Sequence, residues 1–177
     1  MRQIVLLRGI NLGPTNRVAM PALRELLGEH GFEDVRTYVQ SGNIVLSSEH
    51  SPTQLAAECK RAIAEGFGLD IDVLVRTRDE LAAVVTRNPL GEVTANPKRY
   101  QVTFLSDELN GDEVKKLAAL AAEAERVEVI GREVYAWHPD GVARSKLWAR
   151  LGGKGIGVSA TSRNWSTVTT LLEMADA

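Results

Sequence analysis

Val35-Arg36-Thr37-Tyr38-Val39-Gln40-Ser41-Gly42-Asn43-Ile44-Val45-Leu46-Ser47 is the stretch from which the fold is read. Its two arms, Val35 to Gln40 and Asn43 to Ser47, are rich in the β-branched and aromatic residues that suit a half-buried pleated surface. Only Ser41-Gly42 separates them, so they are predicted to pair as a tight hairpin. Upstream, Gln3 to Leu7 is a short run apolar on both faces, the pattern of an interior strand. The polar, glycine-containing loop 8–18 follows it. A helix comes next, with Pro21 in its first turn, Leu23, Leu26 and Leu27 on one face, and an end near Gly31. Downstream of the hairpin, Ser51-Pro52-Thr53-Gln54 combines a serine cap, a proline at the first helical position and a glutamine three residues after the cap, which starts a helix running to about Gly66. Ile71 to Arg76 is a further strand. Thr77-Arg78-Asp79-Glu80 opens a helix that Asn88-Pro89 stops, because a residue before proline is pushed out of the helical region. The order strand, helix, strand, strand, helix, strand is ferredoxin-like, with the extra helix as exit.

The remainder of the chain repeats that order. Tyr100 to Leu105 reads as a strand, Asn110 as the cap of a helix bearing Val114, Leu117, Ala118 and Ala121, and Val127 to Ile130 and Glu133 to Trp137 as a hairpin across Gly131-Arg132. A helix around Ser145 to Leu151 runs into Gly152-Gly153-Lys154-Gly155-Ile156-Gly157. An extended piece over Val158 to Thr161 precedes a last helix carrying Val168, Leu171, Leu172 and Ala175. The reading is therefore α+β, two ferredoxin-like (βαββαβ-type) halves of which the second is less regular. The halves are residues 1–90 and 99–177, and the linker is 88–98, which holds two prolines, a glycine and two asparagines.

A chain of 177 residues with 44% hydrophobic residues buries a full core. Lys and Arg total 21 against 23 for Asp and Glu, so any attraction for polyanions has to be local. Ile4-Val5-Leu6-Leu7 is too short for a signal-peptide core or a membrane span, and the expected location is the cytoplasm, with no membrane partner. Cys59 lies four residues from both Leu55 and Ile63, on the apolar face of its helix, and reads as a buried structural thiol.

Arg8-Gly9-Ile10-Asn11-Leu12-Gly13, Thr37-Tyr38-Val39-Gln40-Ser41-Gly42-Asn43, Arg144-Ser145-Lys146-Leu147 and Thr161-Ser162-Arg163-Asn164-Trp165, in this order and spacing, resemble the uncharacterised bacterial domain-of-unknown-function family numbered 1697. The resemblance extends over essentially the whole chain. It implies a two-lobed α+β fold and brings no substrate, cofactor or catalytic residue with it. Pro14-Thr15 departs from the glycine and basic residues expected there, so the first loop is less cationic than the resemblance suggests.

A ferredoxin-like order places the end of the first strand beside the turn between the second and third. Arg8, Asn11, Gln40, Ser41 and Asn43, with Asn16, are thus expected together next to a helix N-terminus, whose free amides and dipole favour negative charge. In the second half the same reasoning gathers Arg144, Lys146, Arg163 and Asn164. The competing reading is structural: Asn11, Asn16, Ser41 and Asn43 are common turn residues, and Gly9, Gly13 and Gly42 supply permissive dihedrals. His138, before the Pro139-Asp140-Gly141 turn, is the best isolated acid/base candidate and otherwise a strand-end residue. Gly141 to Lys146 lacks the second glycine of a phosphate loop, and Gly153-x-Gly155-x-Gly157 lacks dinucleotide-fingerprint spacing. His30, His50 and His138 are far apart and Cys59 has no local partner, so no metal site is expected. Trp137, Trp148 and Trp165 read as core before they read as base-stacking platforms.

The leading expectation is a binding module for an anionic, phosphate-bearing small ligand or a short nucleic-acid segment in a polar cleft. The rivals are an enzyme acting on such a ligand and a protein-interaction adaptor using a sheet face or edge. The sequence assigns no cofactor and no oligomeric state.

Overall fold

The computed structural model describes residues 1–153 and 155–177; Lys154, inside the glycine-rich run, lies outside the described residues. The chain forms two compact units, Met1–Ala83 together with Thr170–Ala177, and Val84–Thr169. The segment 88–98 is the linker expected from the sequence. That segment belongs to the second unit, where it folds as a 3-10 turn over Gly91–Val93 with Leu90 buried and Asn88 Oδ1 accepting from the Tyr100 hydroxyl at 2.9 Å.

The first unit runs β1 (Arg2–Leu7), α1 (Met20–Glu29), β2 (Glu33–Tyr38), β3 (Asn43–Ser47), α2 (Pro52–Phe67) and β4 (Val73–Thr77). Its sheet is antiparallel with order β2-β3-β1-β4, the ferredoxin-like arrangement. β1 is central, and Ile4, Val5, Leu6 and Leu7 are fully buried, as a run apolar on both faces requires. Val5, Leu7, Ile44 and Leu46 pack with Leu23 and Leu27 of α1 and Leu55, Cys59 and Ile63 of α2. Cys59 is fully shielded, and burial pushes its thiol up to about 12. α2 begins on the capping box read from the sequence: Ser51 Oγ accepts from Gln54 N at 3.2 Å, and Gln54 Oε1 accepts from Ser51 N at 3.1 Å. Thr77 and Glu80 make the same reciprocal pair at the start of α3 (Arg78–Arg87), at 2.8 and 3.1 Å.

The second unit runs β5 (Tyr100–Leu105), α4 (Gly111–Leu120), β6 (Arg126–Ile130), β7 (Glu133–Trp137), α5 (Lys146–Gly152) and β8 (Ala160–Asn164), leading into α6 (Trp165–Asp176). Its sheet order, β6-β7-β5-β8, repeats the first strand for strand. The irregularity lies in the second crossover, where α5 has 7 residues against 16 in α2. Leu105, Val134, Ala136 and Ala160 pack under Leu117 of α4 and Leu147 and Leu151 of α5. Tyr100 stacks on Trp165 with ring centroids 4.9 Å apart, so that tryptophan is core.

Two element boundaries differ from expectation. β2 ends at Tyr38, and the connection 39–42 turns through Val39 at φ 51° and Gly42 at φ 81°, which makes the hairpin loop longer than Ser41-Gly42. β8 continues to Asn164 where the extended piece was expected to stop at Thr161, because Gln101, Val102 and Thr103 of β5 pair with Asn164, Arg163 and Ser162.

Candidate functional site

The polar loops of the first unit meet because β1 and β3 are neighbours: Leu7 N donates to Gly42 O at 2.9 Å, bringing 8–18 onto 39–42. Asn11 is the joint. At φ 56° its backbone N–H reaches Asn16 O at 3.0 Å, its Nδ2 donates to Val18 O at 2.9 Å and Gln40 O at 2.7 Å, and its Oδ1 accepts from Val18 N at 2.8 Å. A side chain in left-handed backbone is uncommon, and asparagine tolerates it because its amide can hydrogen-bond locally.

Beside this joint lies a pocket of about 590 Å³ lined by Asn11, Arg17, Val18, Ala19 and Gln40. Ala19 is the N-cap of α1, and no side chain caps that helix start, nor does an acidic residue stand in its first turn. Its partial positive charge is therefore left to the pocket. Arg17 is exposed and, among the described residues, makes only a marginal 3.4 Å contact to Gly13 O, so its guanidinium is available to a ligand. Arg17 was not singled out in the sequence. The signal for it was a cation two residues before a helix start that lacks a capping side chain.

The other expected residues divide. Arg8 is turned toward Asp72, 3.7 Å from its carboxylate, while its backbone N–H donates to Asp72 O at 3.0 Å. Asn43 is fully buried, and its Nδ2 donates to Tyr38 O at 3.1 Å and Ser41 Oγ at 2.8 Å, holding the hairpin loop closed. Asn11 and Gln40 line the pocket; Ser41 and Asn43 support the loop behind it.

In the second unit the ends of β7 and β8 flank the start of β5, with His138 N bonded to Arg99 O at 3.0 Å and Trp165 N to Pro97 O at 3.1 Å. Arg144 and Lys146 are exposed on either side of Ser145, the N-cap of α5. Arg163 is 7% exposed, and burial pushes its guanidinium down to about 10. It donates to Thr161 Oγ1 at 2.7 Å and Ser162 O at 2.9 Å, and so does not share the surface of Arg144 and Lys146. Asn164 Oδ1 accepts from Thr167 N at 2.9 Å and caps α6.

His138 is fully buried with Nδ1 2.5 Å from Glu125 Oε2, and the Ser145 hydroxyl donates to the same oxygen at 2.6 Å. Both neighbours sit on the Nδ1 side of the ring, the reverse of a hydrolase triad, where the serine meets the nitrogen opposite the acid. A second cavity of the first unit, about 460 Å³, is lined by Arg2, Arg78, Asp79 and Asp176 among others, and its arginines already face carboxylates. Among the described residues no group of three or more His, Cys, Asp and Glu is placed to hold a metal ion, and no helix is long and apolar enough to cross a membrane.

The fold is similar to that of the conserved bacterial protein SP0830 from Streptococcus pneumoniae, with a TM-score of 0.79 at 24% identity over 98% of each chain. No curated protein matches the sequence. Two of the polar motifs, 8–13 and 37–43, fall within residues 1–135, which the family model described as protein of unknown function (DUF1697) matches; that is well over half of the 177 residues, and the chain belongs to this family.

Proposed function

We propose that the protein is a cytoplasmic binding module for an anionic, phosphate-bearing small molecule, seated between the start of α1 and the 39–42 turn. One observation carries this reading: a pocket of about 590 Å³ in which an uncapped helix N-terminus, the exposed Arg17 and the polar residues Asn11 and Gln40 converge. Helix amides and a forked guanidinium together suit phosphate oxygens. Leu12 and Val39, two of the large exposed hydrophobics, are next in sequence to Asn11 and Gln40, which suits a phosphate ester with an apolar portion better than a bare ion. A short nucleic acid would need a longer basic track than this pocket offers, given a net charge of -2.

Titration of inorganic phosphate and of a nucleoside monophosphate against backbone amide resonances tests the reading. The expected result is saturable shifts at Asn11, Ala22 and Gln40. Arg17→Ala should weaken the nucleotide by roughly 1.5–3 kcal/mol, the range for a charged hydrogen bond, and leave the melting temperature nearly unchanged because Arg17 is exposed. Shifts elsewhere, or none, would remove the site.

A further inference from the structure

Glu125 precedes β6, was not distinguished by any motif, and takes no part in the pocket of the first unit. Its carboxylate nevertheless accepts three hydrogen bonds from three segments: Ala122 N at 3.0 Å on Oε1, and Ser145 Oγ at 2.6 Å and His138 Nδ1 at 2.5 Å on Oε2. Its side chain is 7% exposed and that of His138 not at all. Ser145 is also the cap of α5, accepting from Trp148 N at 3.1 Å, and Trp148 meets the His138 ring edge-on at 5.7 Å. His138 Nε2 is buried without a hydrogen-bond partner.

From this cluster we infer that Glu125 is a charge-dependent latch: its negative charge, rather than its shape, holds the start of α5 and the flanking Arg144 and Lys146 against the end of β7. To the charged carboxylate all three partners donate, so both of its oxygens are acceptors. A proton on Oε1 faces the Ala122 N–H, and one on Oε2 is accepted only if the Ser145 hydroxyl, which already accepts from Trp148 N, gives up its own donation. Moving the ring proton to Nε2 instead gives up the His138 donation to Oε2 and leaves the Nε2 N–H buried without an acceptor. Among the described residues no arginine or lysine pairs with the Glu125 carboxylate. Arg126 is turned to Glu92, and the Arg99 guanidinium to Pro139 O, leaving Ser145, His138 and the Ala122 amide as the groups that meet the carboxylate. Burial opposes the ionisation of Glu125, yet the Ala122 amide, Ser145 and His138 outweigh it and hold the carboxyl below its ordinary range.

The latch is tested on the full chain by amide exchange and by the ring ¹⁵N resonances of His138. Glu125→Gln keeps the shape and removes the charge. It should lower exchange protection at Trp148 by on the order of ten- to a hundredfold, the worth of a charged hydrogen bond, while protection in β1 and β3 is kept. Glu125→Asp, which restores the charge at shorter reach, should recover part of it. In the unaltered protein the His138 ring should carry a proton on Nδ1, facing Glu125. Acidification below the usual glutamate range should release Trp148 before the sheet. If Glu125→Gln fails to fold, this acid profile decides: loss at Trp148 only together with global unfolding overturns the latch, as does full protection at Trp148 in a folded Glu125→Gln protein.

Discussion

Asn11 and Gly42 show how much of a binding loop is set by single backbone positions. Gly42 sits at φ 81°, and a Cβ there would stand 2.7 Å from Leu7 Cβ and 2.9 Å from Ile10 Cδ1, both core side chains with nowhere to retreat. Gly42→Ala is expected to cost about 1–3 kcal/mol, from left-handed strain and the clash together, read as a lower midpoint in urea with an unchanged slope. A loss within experimental scatter would mean that the turn has another conformation open to it. Val39, β-branched and at φ 51°, holds the same kind of strain, which the bonds of Asn11 and Asn43 to Gln40 O and Tyr38 O help to maintain. Arg8 and Arg17 illustrate the limit of residue-level reading. Both are cations of one loop, and composition could not say that Asp72 meets the first while the second faces the pocket.

The last turn of α6 is fastened by arginines, and the fastenings are unequal. Arg36 Nη2 donates to Met174 O at 2.8 Å in a part-buried setting, whereas Arg78 pairs with Asp176 at 2.7 and 3.1 Å in the open. A cation on the terminal carbonyls of a helix is favoured by the dipole, and partial burial shields the bond from salt. Exposed pairs are worth about 0–1 kcal/mol because water screens them and ordering the side chains costs entropy. Arg36→Ala is therefore expected to destabilise the first unit by about 1 kcal/mol with little salt dependence, and Arg78→Ala by less, in a manner that vanishes in molar salt. Equal effects from the two, followed by chemical denaturation at low and high salt, would contradict this ranking. β8 shows the complementary point at the level of elements. Thr161-Ser162-Arg163-Asn164 carries no apolar alternation, and it is a strand because β5 offers it a hydrogen-bonding edge.

At the scale of the whole molecule, acid stability follows from the few carboxylates that are both shielded and depressed. Arg150 beside Glu113 holds that carboxyl below its ordinary range, and the latch does so for Glu125; both side chains are 7% exposed. A folded value lowered below the unfolded one gives stability that is complete above about pH 4.3 and is lost as pH falls through the folded values. Denaturation midpoints should accordingly show no pH dependence from these two groups between about pH 6 and 8, where their contribution is complete, and a decline beginning near pH 4. Replacing Glu113 with Gln should flatten that decline, and an unflattened curve would assign it to other groups. Much of this molecule was legible in its sequence. Capping boxes, the apolar run of β1, helical periodicity and the Gly131 turn are local signals, each a matter of a few neighbouring dihedrals and one apolar face, and together they determined two ferredoxin-like halves with Cys59 inside. Tertiary structure alone decided that Arg163 is buried in β8, that Thr170–Ala177 joins the first unit, that Arg17 faces the pocket, and that Glu125 meets His138 and Ser145. These depend on which strand edge is open and which partner stands across the sheet, and such distances of 13 to 175 residues along the chain leave no trace in local pattern.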